Sequence, residues 1–341
     1  MNPKSLACCG GLRVDYIITA EGNVRLRQMG GNALYAAAGA RVWGCQPVIL
    51  ARVGDNFPAA WLERMRALGL DTRGVCRVPG WQEHRTFYAY LDAHTRDDTR
   101  PALHFARLGL PVPEDLRSYV HSTLGQDNPH AYEPLAVQPG DVAALAECPP
   151  SALHIAPCSI RTQLHVPAAA RAIGARWVSA DPGERAMRPN LLPFVEAVLS
   201  QVDAFMPSEQ EVCTLFADRP QAEHPLLALR WFIEHGPRIA VVKQGARGVV
   251  LCDREAGRCW HVPAYPTTVV DVTGAGDAFC GGFMARFVQT ADALESAVAG
   301  VVAASFTVED YGPLHLFEVM PEKARVRAAW VRAHAQELKT T

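Results

Sequence analysis

Short apolar runs alternate with helical segments along the second half of the chain, and this alternation constrains the fold more than any other feature. The pattern predicts strands at 152–156, 176–180, 204–206 and 239–242, with helices between them at 166–173, 191–199, 209–216 and 225–235. Strands separated by helices in this way are typical of parallel βαβ units. We therefore expect an α/β protein with a mostly parallel central sheet, whose chemistry lies at the carboxyl ends of the strands.

The first half and the C-terminus are less regular. Strands are predicted at 6–9, 14–19 and 47–51, and helices at 57–68 and 322–337. Aromatic and polar residues follow one another over 84–91 in the order expected of a half-exposed β element. From 111 to 140 the chain is polar and rich in proline, so we expect an irregular excursion there.

Length and charge narrow the class of protein. With 341 residues, 49% of them apolar, the chain is long enough for one large α/β domain or two smaller ones. The formal charge of −2, from 33 basic and 35 acidic residues, predicts no polyanion-binding surface and hence no nucleic-acid partner. The chain has no run of about 18 apolar residues, so we expect no membrane span.

The ten cysteines are scattered along the chain, and none of them falls in a C-x-x-C pair. This distribution favours free thiols in a reducing compartment over a disulfide framework. The N-terminal stretch has too few apolar residues for a secretion signal, since Arg13 and Asp15 follow closely. We therefore expect a cytoplasmic location.

The densest candidate site is the run D-V-T-G-A-G-D at 271–277, which follows two valines and opens a predicted helix. Glycines at 274 and 276 permit a backbone path that side chains would block. Consecutive N–H groups at a helix start can bind an anion, while a neighbouring carboxylate removes a proton. This combination suits the transfer of a phosphoryl group. The alternative is a glycine-rich turn in which Asp277 only favours the helix start.

Further segments extend this pattern. The turn Gly30-Gly31 precedes a helix of small residues, about 240 residues before the 271–277 run. Between the two lie V-G-D at 53–55, D-P at 181–182, P-S-E-Q-E at 207–211 and V-K-Q-G-A-R-G at 242–248. Together these segments resemble the signatures of the ribokinase-like (PfkB) family of carbohydrate kinases, over about residues 6–315. The resemblance implies a three-layer α/β/α fold in a single kinase domain, 1–341, with a small β-lid from about 12–28 and 81–107.

The resemblance also implies the catalytic parts. Asp277 matches the family's catalytic base, and the anion hole would be formed by the amides of Gly274, Ala275 and Gly276. ATP would be the phosphoryl donor. Asp271 matches a position associated with a monovalent cation such as K⁺, although a carboxylate that caps its own loop is the alternative. Glu211 matches a residue that organises hydrated Mg²⁺, with a solvated helix face as its alternative.

For the nucleotide, the resemblance points to Ser208, Lys243, Gly245, Gly248 and Thr273. Ser208 stands where the family usually has asparagine, so it keeps an oxygen but loses the amide donor. Lys243 would lie near phosphate, and a surface lysine at a strand end is the alternative interpretation. The chain contains neither a Walker motif nor a G-x-G-x-x-G motif, so P-loop and dinucleotide-binding readings lack support.

For the acceptor, the resemblance points to Asp15, Gly30, Gly31 and Asn32. Asp15 would accept hydrogen bonds from substrate hydroxyls, and the two glycines would let the sugar approach the backbone. Tyr35 stands where ribokinases have asparagine, so ribose itself is not predicted; helix packing is its alternative role. Arg85, in the lid, could reach a substrate anion or lie on a solvated strand face.

Together these expectations lead to one main hypothesis, an ATP-dependent kinase of a sugar or sugar-like alcohol. A nucleoside kinase of the same fold and a nucleotide- or sugar-binding regulator without turnover remain as alternatives. The partner would be a small molecule, and a homodimer through the lid is possible. The aromatic residues for such an interface are His84, Phe87, Tyr88 and Tyr90, which could equally cover the sugar.

Overall fold

The structure is a computed structural model, and it describes residues 5–92 and 95–339. The first four residues of the N-terminal stretch, residues 93–94 of the predicted lid and the last two residues of the predicted domain lie outside the described residues. The single domain with bounds 1–341 therefore stays a prediction.

Strands of the described residues form two separate sheets. In chain order they are β1 (Leu6–Cys9), β2 (Arg13–Ile18), β3 (Val24–Gly30), β4 (Val48–Val53), β5 (Asp71–Arg77), β6 (Arg85–Tyr90), β7 (Arg96–Asp97), β8 (Ala152–Ile155), β9 (Trp177–Ala180), β10 (Ala204–Phe205), β11 (Ile239–Lys243), β12 (Val249–Asp253), β13 (Arg258–Val262) and β14 (Gln336–Leu338). The large sheet has the order β14-β13-β12-β11-β10-β9-β8-β1-β4-β5 and is parallel from β11 to β5. The small sheet has the order β3-β2-β6-β7 and is the predicted lid.

Helices pack on both faces of the large sheet. They are α1 (Asn32–Arg41), α2 (Ala59–Ala67), α3 (Pro101–Arg107), α4 (Ile160–Ala172), α5 (Leu192–Leu199), α6 (Glu209–Leu215), α7 (Pro225–Glu234), α8 (Ala275–Thr290), α9 (Ala293–Thr307) and α10 (Pro321–His334), with short 3₁₀ helices at Glu114–Leu116, Pro139–Leu145, Pro189–Leu191, Pro220–Ala222, Gly245–Arg247 and Leu314–Glu318. Within the described ranges, no helix is long and apolar enough to cross a membrane.

Two hydrophobic cores follow from the alternation of side chains along the strands. In β1, Leu6 and Cys8 face the core under α1, α8 and α9, while Ala7 and Cys9 face the core under α4, α5 and α7. Because both faces of the parallel strands are buried, these strands read as continuous apolar runs in the sequence. The expected three-layer α/β/α fold with a small β-lid is confirmed.

Several element boundaries differ from the sequence-based expectation. Helix α4 begins six residues before the expected 166, because Pro167 lies inside the helix rather than in its first turn. Helix α10 ends at His334, and the residues up to 338 form β14 at the edge of the large sheet instead of continuing the helix. The pattern also missed β5, β13 and the short α3, whose mixed residues carry no clear period.

The expectation that all cysteines are free thiols is wrong for one pair. Cys252 and Cys259 face each other across β12 and β13, with their Cα atoms 4.0 Å apart, and they form a disulfide. The other eight cysteines are free. The sequence does not show this pairing, because it depends on the register of a hairpin that the pattern did not resolve.

The lid has an inner face toward the large sheet and an outer face that the chain itself covers. On the outer face, Tyr16 and Phe87 pack against Phe105 of α3 and against Leu116 and Tyr119 of the 111–140 excursion. The excursion is irregular, as expected, apart from its short 3₁₀ helices.

This arrangement bears on the predicted lid homodimer. Phe87 is fully buried, and His84 is buried with a hydrogen bond from the Gly54 N–H to its Nε2 (2.9 Å). Tyr88 and Tyr90 face inward, toward a cavity. The homodimer stays a prediction, and it would have to use lid residues other than these four.

Helices α1 and α8 approach each other so closely that glycine is required on both. A Cβ at Gly39 of α1 would lie 2.1 Å from the Ala278 carbonyl oxygen, and a Cβ at Gly281 of α8 would lie 1.7 Å from the Ala36 carbonyl oxygen. The two glycine–backbone contacts make a seam that holds the two helices in close contact. Residues at the starts of both helices, Asn32 of α1 and Asp277 of α8, line one cavity, so both N-termini lie at the same place.

Gly281→Ala tests this seam. Alanine usually stabilises a helix interior by about 1 kcal/mol relative to glycine. Here the added Cβ meets the Ala36 carbonyl group, so we expect the free energy of unfolding, measured by chemical denaturation, to fall by about 2 kcal/mol.

The matched control is Gly140→Ala, at a position where a Cβ meets nothing within 4 Å. It should leave the free energy of unfolding within about 0.5 kcal/mol of the parent value. Equal effects of the two substitutions would contradict the role given to the seam.

Candidate active site

Two cavities meet at the carboxyl ends of the parallel strands. The first, which we call the lid cavity, has a volume of about 480 Å³ and lies under the inner face of the lid, with Asp15 and Asp277 in its wall. The second, which we call the groove, has a volume of about 700 Å³. Residues that line both cavities are Ser208, Lys243, Val272 and Gly276. A molecule in the groove and a molecule in the lid cavity would therefore meet at the start of α8.

The start of α8 depends on a left-handed glycine. Gly274 has φ +75°, and a Cβ there would lie 2.1 Å from Cδ1 of Tyr35. The Tyr35 ring is almost fully buried against this glycine, which confirms helix packing as one role of Tyr35. The Ala275 N–H donates to the Val272 carbonyl oxygen (3.3 Å), and the N–H groups of Gly276 and Asp277 follow it in the first turn, at the positive dipole end of α8. The anion site expected at this helix start stays a prediction.

Asp277 is half-buried in the first turn of α8 and lines the lid cavity. Burial and the negative charge of Asp181 raise the pKa of Asp277 to about 7. The positive charges of Lys243 and Arg96 act in the opposite direction. A carboxylate that titrates near neutral pH can take up a proton during a reaction and release it afterwards.

Lys243 lies at the junction of the two cavities rather than on the surface. Its side chain is 12% exposed, and its ammonium group forms an ion pair with Asp181. Burial acts to lower the pKa of Lys243, but the charge of Asp181 and further negative groups hold it above its ordinary value. A Cβ at Gly276 would lie 3.4 Å from Nζ of Lys243. The ammonium group therefore lies beside the start of α8, and the surface alternative for Lys243 is wrong.

Ser208 and Glu211 form a capping box at the start of α6. The Ser208 N–H donates to Oε2 of Glu211 (2.7 Å), and Oγ of Ser208 accepts a hydrogen bond from the Glu211 N–H (3.3 Å). Burial and the charge of Asp181 raise the pKa of Glu211 to about 7. Glu211 lines the lid cavity, so it does not lie on a solvated helix face.

Two carboxylates near this junction, those of Asp181 and Glu211, are candidates for a magnesium site. Oδ1 of Asp181 is buried without a hydrogen-bond partner, and Glu211 lies close enough to influence the pKa of Asp277. In the described residues, no group of three or more potential ligands is arranged to hold a metal by protein atoms alone. The residues fit Mg²⁺ in its usual mode with ATP, in which one or two carboxylates act while waters and phosphates fill the remaining positions.

Asp15 is buried in the opposite wall of the lid cavity. Its side chain is close to Gly30, where a Cβ would lie 1.7 Å from Oδ2 of Asp15, and it accepts a hydrogen bond from the Gly31 N–H. Burial raises the pKa of Asp15 to about 7, against the effect of Arg13. Gly31 has φ +99°, and a Cβ there would lie 2.4 Å from the Gly11 carbonyl oxygen. Both glycines are required for this carboxylate to sit where it does.

Asn32 also lines the lid cavity, but it serves the local backbone. Its Oδ1 accepts a hydrogen bond from the Gly11 N–H (2.7 Å), and its amide group donates to the Pro157 carbonyl oxygen. Asn32 therefore ties together the loops that follow β1 and β8. It is placed to position the cavity wall, in addition to any hydrogen bond that it offers to a ligand.

Asp271 and Thr273 form a small polar cluster under the lid. Oδ1 of Asp271 accepts hydrogen bonds from the N–H (3.0 Å) and the hydroxyl (2.7 Å) of Thr273, while Oδ2 is buried without a partner. Burial raises the pKa of Asp271. The Thr273 hydroxyl is also 2.8 Å from the Tyr90 hydroxyl, so Thr273 lies on the lid side of the junction. Its nucleotide-binding role stays a prediction.

The groove has mostly apolar walls. Gly245 and Gly248 form the turn after β11, and a Cβ at Gly248 would lie 2.1 Å from the Val262 carbonyl oxygen. Further groove residues that the sequence motifs missed are Tyr265, Thr267, Phe279, Val301, Ser305 and Val308. An apolar groove with a few polar groups at one end suits a flat aromatic ligand such as a nucleotide base. These residues read only as core positions of helices and loops, so no sequence signal marked them.

The lid contributes inward-facing residues to the cavity: Tyr88 and Tyr90, which the sequence analysis offered as a cover for the sugar, and Arg96, which it missed. Tyr88 and Tyr90 alternate with outward-facing residues along β6, and Arg96 of β7 stacks on the Tyr88 ring at 4.7 Å. The signal available in the sequence was the alternation of residues along 84–91, because a period of two is typical of a strand with two different faces. Arg85, by contrast, pairs with Glu83 and binds the excursion at Ser118, so it lies outside the cavity.

The known proteins that this sequence resembles are kinases of sugars and nucleosides. The model of the pfkB family carbohydrate kinases matches residues 131–318, more than half of the chain. Cytidine kinase of Thermococcus kodakarensis is 23% identical over 283 residues, which cover 83% of this chain and 88% of that protein. An uncharacterized sugar kinase of Archaeoglobus fulgidus is 34% identical over 137 residues, which cover 40% of this chain and 51% of that protein.

Solved structures share the fold. An E. coli protein assigned as ribokinase II, in complex with ATP and Mg²⁺, superimposes with a TM-score of 0.68 at 22% identity and covers 95% of this chain and all of its own. Nucleoside kinase of Burkholderia thailandensis, in complex with ADP and inosine, superimposes with a TM-score of 0.70 at 16% identity and covers 99% of both chains. With the family model matching more than half of its length, the chain belongs to the pfkB family of carbohydrate kinases.

Proposed function

We propose that the chain transfers the γ-phosphoryl group of ATP to a hydroxyl of a sugar or sugar-like alcohol. The observation that carries this proposal is the meeting of the two cavities at the start of α8. ATP would lie in the groove with its phosphates toward Gly276, and the acceptor would lie in the lid cavity between Asp15 and Asp277. Such a kinase would work in the cytoplasm, where ATP is available.

Asp277 would act as the general base. It accepts the proton of the acceptor hydroxyl as that oxygen attacks the γ-phosphorus, and the bond from the γ-phosphorus to the β,γ-bridging oxygen breaks to leave ADP. The amides of Gly274, Ala275 and Gly276 would neutralise the charge on the transferred group. Lys243, fixed beside Gly276 by Asp181, adds a positive charge at the same place.

Mg²⁺ would be held through water by Glu211, with the unpartnered Oδ1 of Asp181 available beside it. When bound, the ion neutralises phosphate charge and keeps the triphosphate in one geometry. Ser208 caps α6 and thereby fixes the orientation of Glu211. Although the family usually has asparagine at this position, Ser208 therefore still orients the carboxylate of Glu211.

Asp271 would bind a monovalent cation such as K⁺ through its buried, unpartnered Oδ2. The position suits a cation because Asp271 lies close to the proposed anion site, within the same 271–277 run. A bound cation would also offset the cost of a buried carboxylate. A rate several-fold higher in KCl than in tetramethylammonium chloride would support this assignment. Equal rates would leave Asp271 as a carboxylate that caps its own loop.

A nucleoside is the second candidate acceptor. The observation in its favour is the pair of inward-facing rings of Tyr88 and Tyr90, 6.4 Å apart, which offer aromatic surface for a base. The cytidine kinase among the relatives points the same way. A regulator without turnover is less favoured, because binding alone requires neither the base Asp277 nor the anion site next to it.

Asp277→Asn tests the catalytic assignment. The amide cannot accept the hydroxyl proton, so we expect kcat to fall by about 10²–10⁴-fold. ATP affinity, measured by calorimetry, should change little, since the nucleotide lies on the other side of Gly276. In the parent protein, kcat/KM should rise with pH through about 7, because the base must be ionised and its pKa is raised to about 7.

The control for this variant is Asp218→Asn, which removes an exposed carboxylate that follows the end of α6 and lines neither cavity. Its kcat and pH profile should match those of the parent. A parental kcat in the Asp277→Asn variant, or a flat pH profile between pH 5 and 8, would remove Asp277 from the mechanism.

Asp15→Asn should separate activity from stability. The folded-state pKa of Asp15, about 7, lies above its ordinary value, so stability is present at low pH and is lost as the pH rises through about 7. The neutral amide avoids that loss. We therefore compare the free energy of unfolding of the variant with that of the parent at two pH values. The gain of the variant over the parent should be larger at pH 8.5 than at pH 5.5, by at least about 1 kcal/mol.

The same variant should lose about 10- to 100-fold in kcat/KM for the acceptor, because it loses charged hydrogen bonds to hydroxyls. Chemical denaturation and steady-state kinetics supply the two readouts. For Asp218→Asn, the difference from the parent should be the same at both pH values. A loss of stability in Asp15→Asn that is larger at pH 8.5 would contradict the burial argument.

A further inference from the structure

The end of the lid cavity remote from α8 is rich in arginine. Arg13, Arg185 and Arg188 line it, together with Thr123 and Gln126 of the 111–140 excursion. Arg188 pairs with Asp127 at 3.3 Å. Arg13 and Arg185 form no ion pair with any carboxylate in the part of the chain that the structure describes.

Arg13 is the more deeply placed of the two unpaired arginines. It precedes Asp15 by two residues on β2, so both side chains lie on the inner face of the lid. Its Nη1 is buried without a hydrogen-bond partner, and burial is the largest influence on its pKa, which it lowers. Glu133 is the acidic group that affects Arg13 most, yet the two form no ion pair. An enclosed guanidinium without a partner is costly, and a bound anion would offset that cost.

Arg185 faces the same end of the cavity from the loop after β9. Its Nε donates to Oγ1 of Thr123 (2.5 Å), a bond that holds the side chain in place and leaves its terminal nitrogens for another acceptor. Thr123 and Gln126 belong to one turn, closed by a hydrogen bond from the Gln126 N–H to the Thr123 carbonyl oxygen (3.2 Å). Two cationic side chains thus flank one polar wall.

The register of the lid places these arginines away from the reacting end. Tyr90, at one end of β6, is hydrogen-bonded to Thr273 beside α8. Thr86, four residues earlier, is 3.3 Å from the hydroxyl of Ser122 in the excursion. Four strand residues correspond to about 13 Å. Arg13 lies beyond the Thr86 end, since its neighbour Val14 pairs with Arg85.

Arg96 occupies the other end and has a different role. It influences the pKa of Asp277 and stacks on Tyr88, so it lies where the phosphoryl group is transferred. The negative charge of the ATP phosphates can therefore neutralise Arg96 and Lys243. It cannot neutralise Arg13 and Arg185, which lie at the opposite end of the lid cavity.

We propose that the acceptor carries an anionic group, a carboxylate or a phosphate, which Arg13 and Arg185 bind at the end of the lid cavity remote from Asp277. This inference rests on the proposed kinase function and narrows its substrate class to acidic or phosphorylated sugars. The hydroxyl at the Asp277 end takes the phosphoryl group, ATP becomes ADP, and the hydroxyl proton goes to Asp277. The anionic group is unchanged by the reaction.

The preference for an anionic acceptor follows from the pairing of its charge with the two arginines. Arginine binds carboxylate or phosphate through two parallel hydrogen bonds, which fixes the orientation of the bound group. A neutral sugar or a nucleoside of the same size would leave both guanidinium groups unpaired, and a site with unpaired polar groups rejects such a ligand strongly. The 111–140 excursion thereby acquires a role, since its 122–126 turn forms the wall between the two arginines.

The test compares acceptors in matched pairs that differ in the anionic group. Glucose is paired with glucuronate, sorbitol with gluconate, ribose with ribose 5-phosphate and fructose with fructose 6-phosphate, and cytidine and inosine are added as neutral nucleosides. ATP consumption gives kcat/KM, and calorimetry without ATP gives binding. We expect at least one anionic member to exceed its neutral partner by about tenfold or more. The carboxylate and phosphate pairs distinguish the two sources of charge.

Variants then assign the effect to the two arginines. Arg13→Gln and Arg185→Gln should each raise KM or Kd for the preferred anionic acceptor about 10- to 100-fold, with KM for ATP unchanged. Arg185→Lys should recover part of the loss. Arg107→Gln, an exposed arginine in α3, is the matched control and should behave as the parent. Arg185 is partly exposed, so its variants report on binding even if Arg13→Gln fails to fold.

The outcomes separate this proposal from the kinase assignment. Turnover that favours a neutral sugar or nucleoside, and that is unchanged in both arginine variants, would overturn the anionic acceptor and leave the kinase intact. A panel in which no anionic member binds would also overturn it. If, in addition, no acceptor causes ATP consumption that depends on Asp277, the proposed function fails as well.

Discussion

The seam between α1 and α8 is the contact on which the site depends. Two helices usually lie 8–10 Å apart because side chains separate them. Here Gly39 and Gly281 bring each helix against the backbone of the other. The starts of both helices line the lid cavity, and Ala278, which contacts Gly39, is next to Asp277 in the chain. The packing of the seam therefore fixes Asp277 relative to α1 and to the turn before α1, which holds Asp15.

Charge is concentrated at this meeting point at a cost to the folded protein. Asp15, Glu211 and Asp277 each have a pKa raised to about 7, and in every case burial is the main cause. The ion pair between Lys243 and Asp181 compensates only part of the negative charge. Stability is lost where carboxylates are kept from water, and the same arrangement creates groups that exchange protons near neutral pH. When bound, ATP, its metal ion and the acceptor would supply charges and hydrogen bonds to these buried groups.

The sequence predicted those parts of the site that lie within one motif. The 271–277 run, the Gly30-Gly31 turn and Glu211 could be assigned because neighbouring residues act together. The groove could not, since residues such as Tyr265 and Val308 come from separate elements and read as core. The disulfide between Cys252 and Cys259 and the inward direction of Arg13 depend on strand register, which spacing alone does not give. Local chemistry was predictable, whereas partners brought together by tertiary contacts were not.

The 111–140 excursion ties the lid to the body of the protein. On the lid side, Asp115 accepts hydrogen bonds from Tyr16 and Arg27, and on the body side the Ile160 N–H donates to the Gln126 carbonyl oxygen (2.8 Å). Because the excursion is bonded to both, we expect the lid to move by small adjustments rather than by a wide hinge motion. In the proposed reaction, a lid tied in this way would keep water from the phosphoryl group while the acceptor is bound. The excursion would then both limit the motion of the lid and supply part of the wall that faces the acceptor.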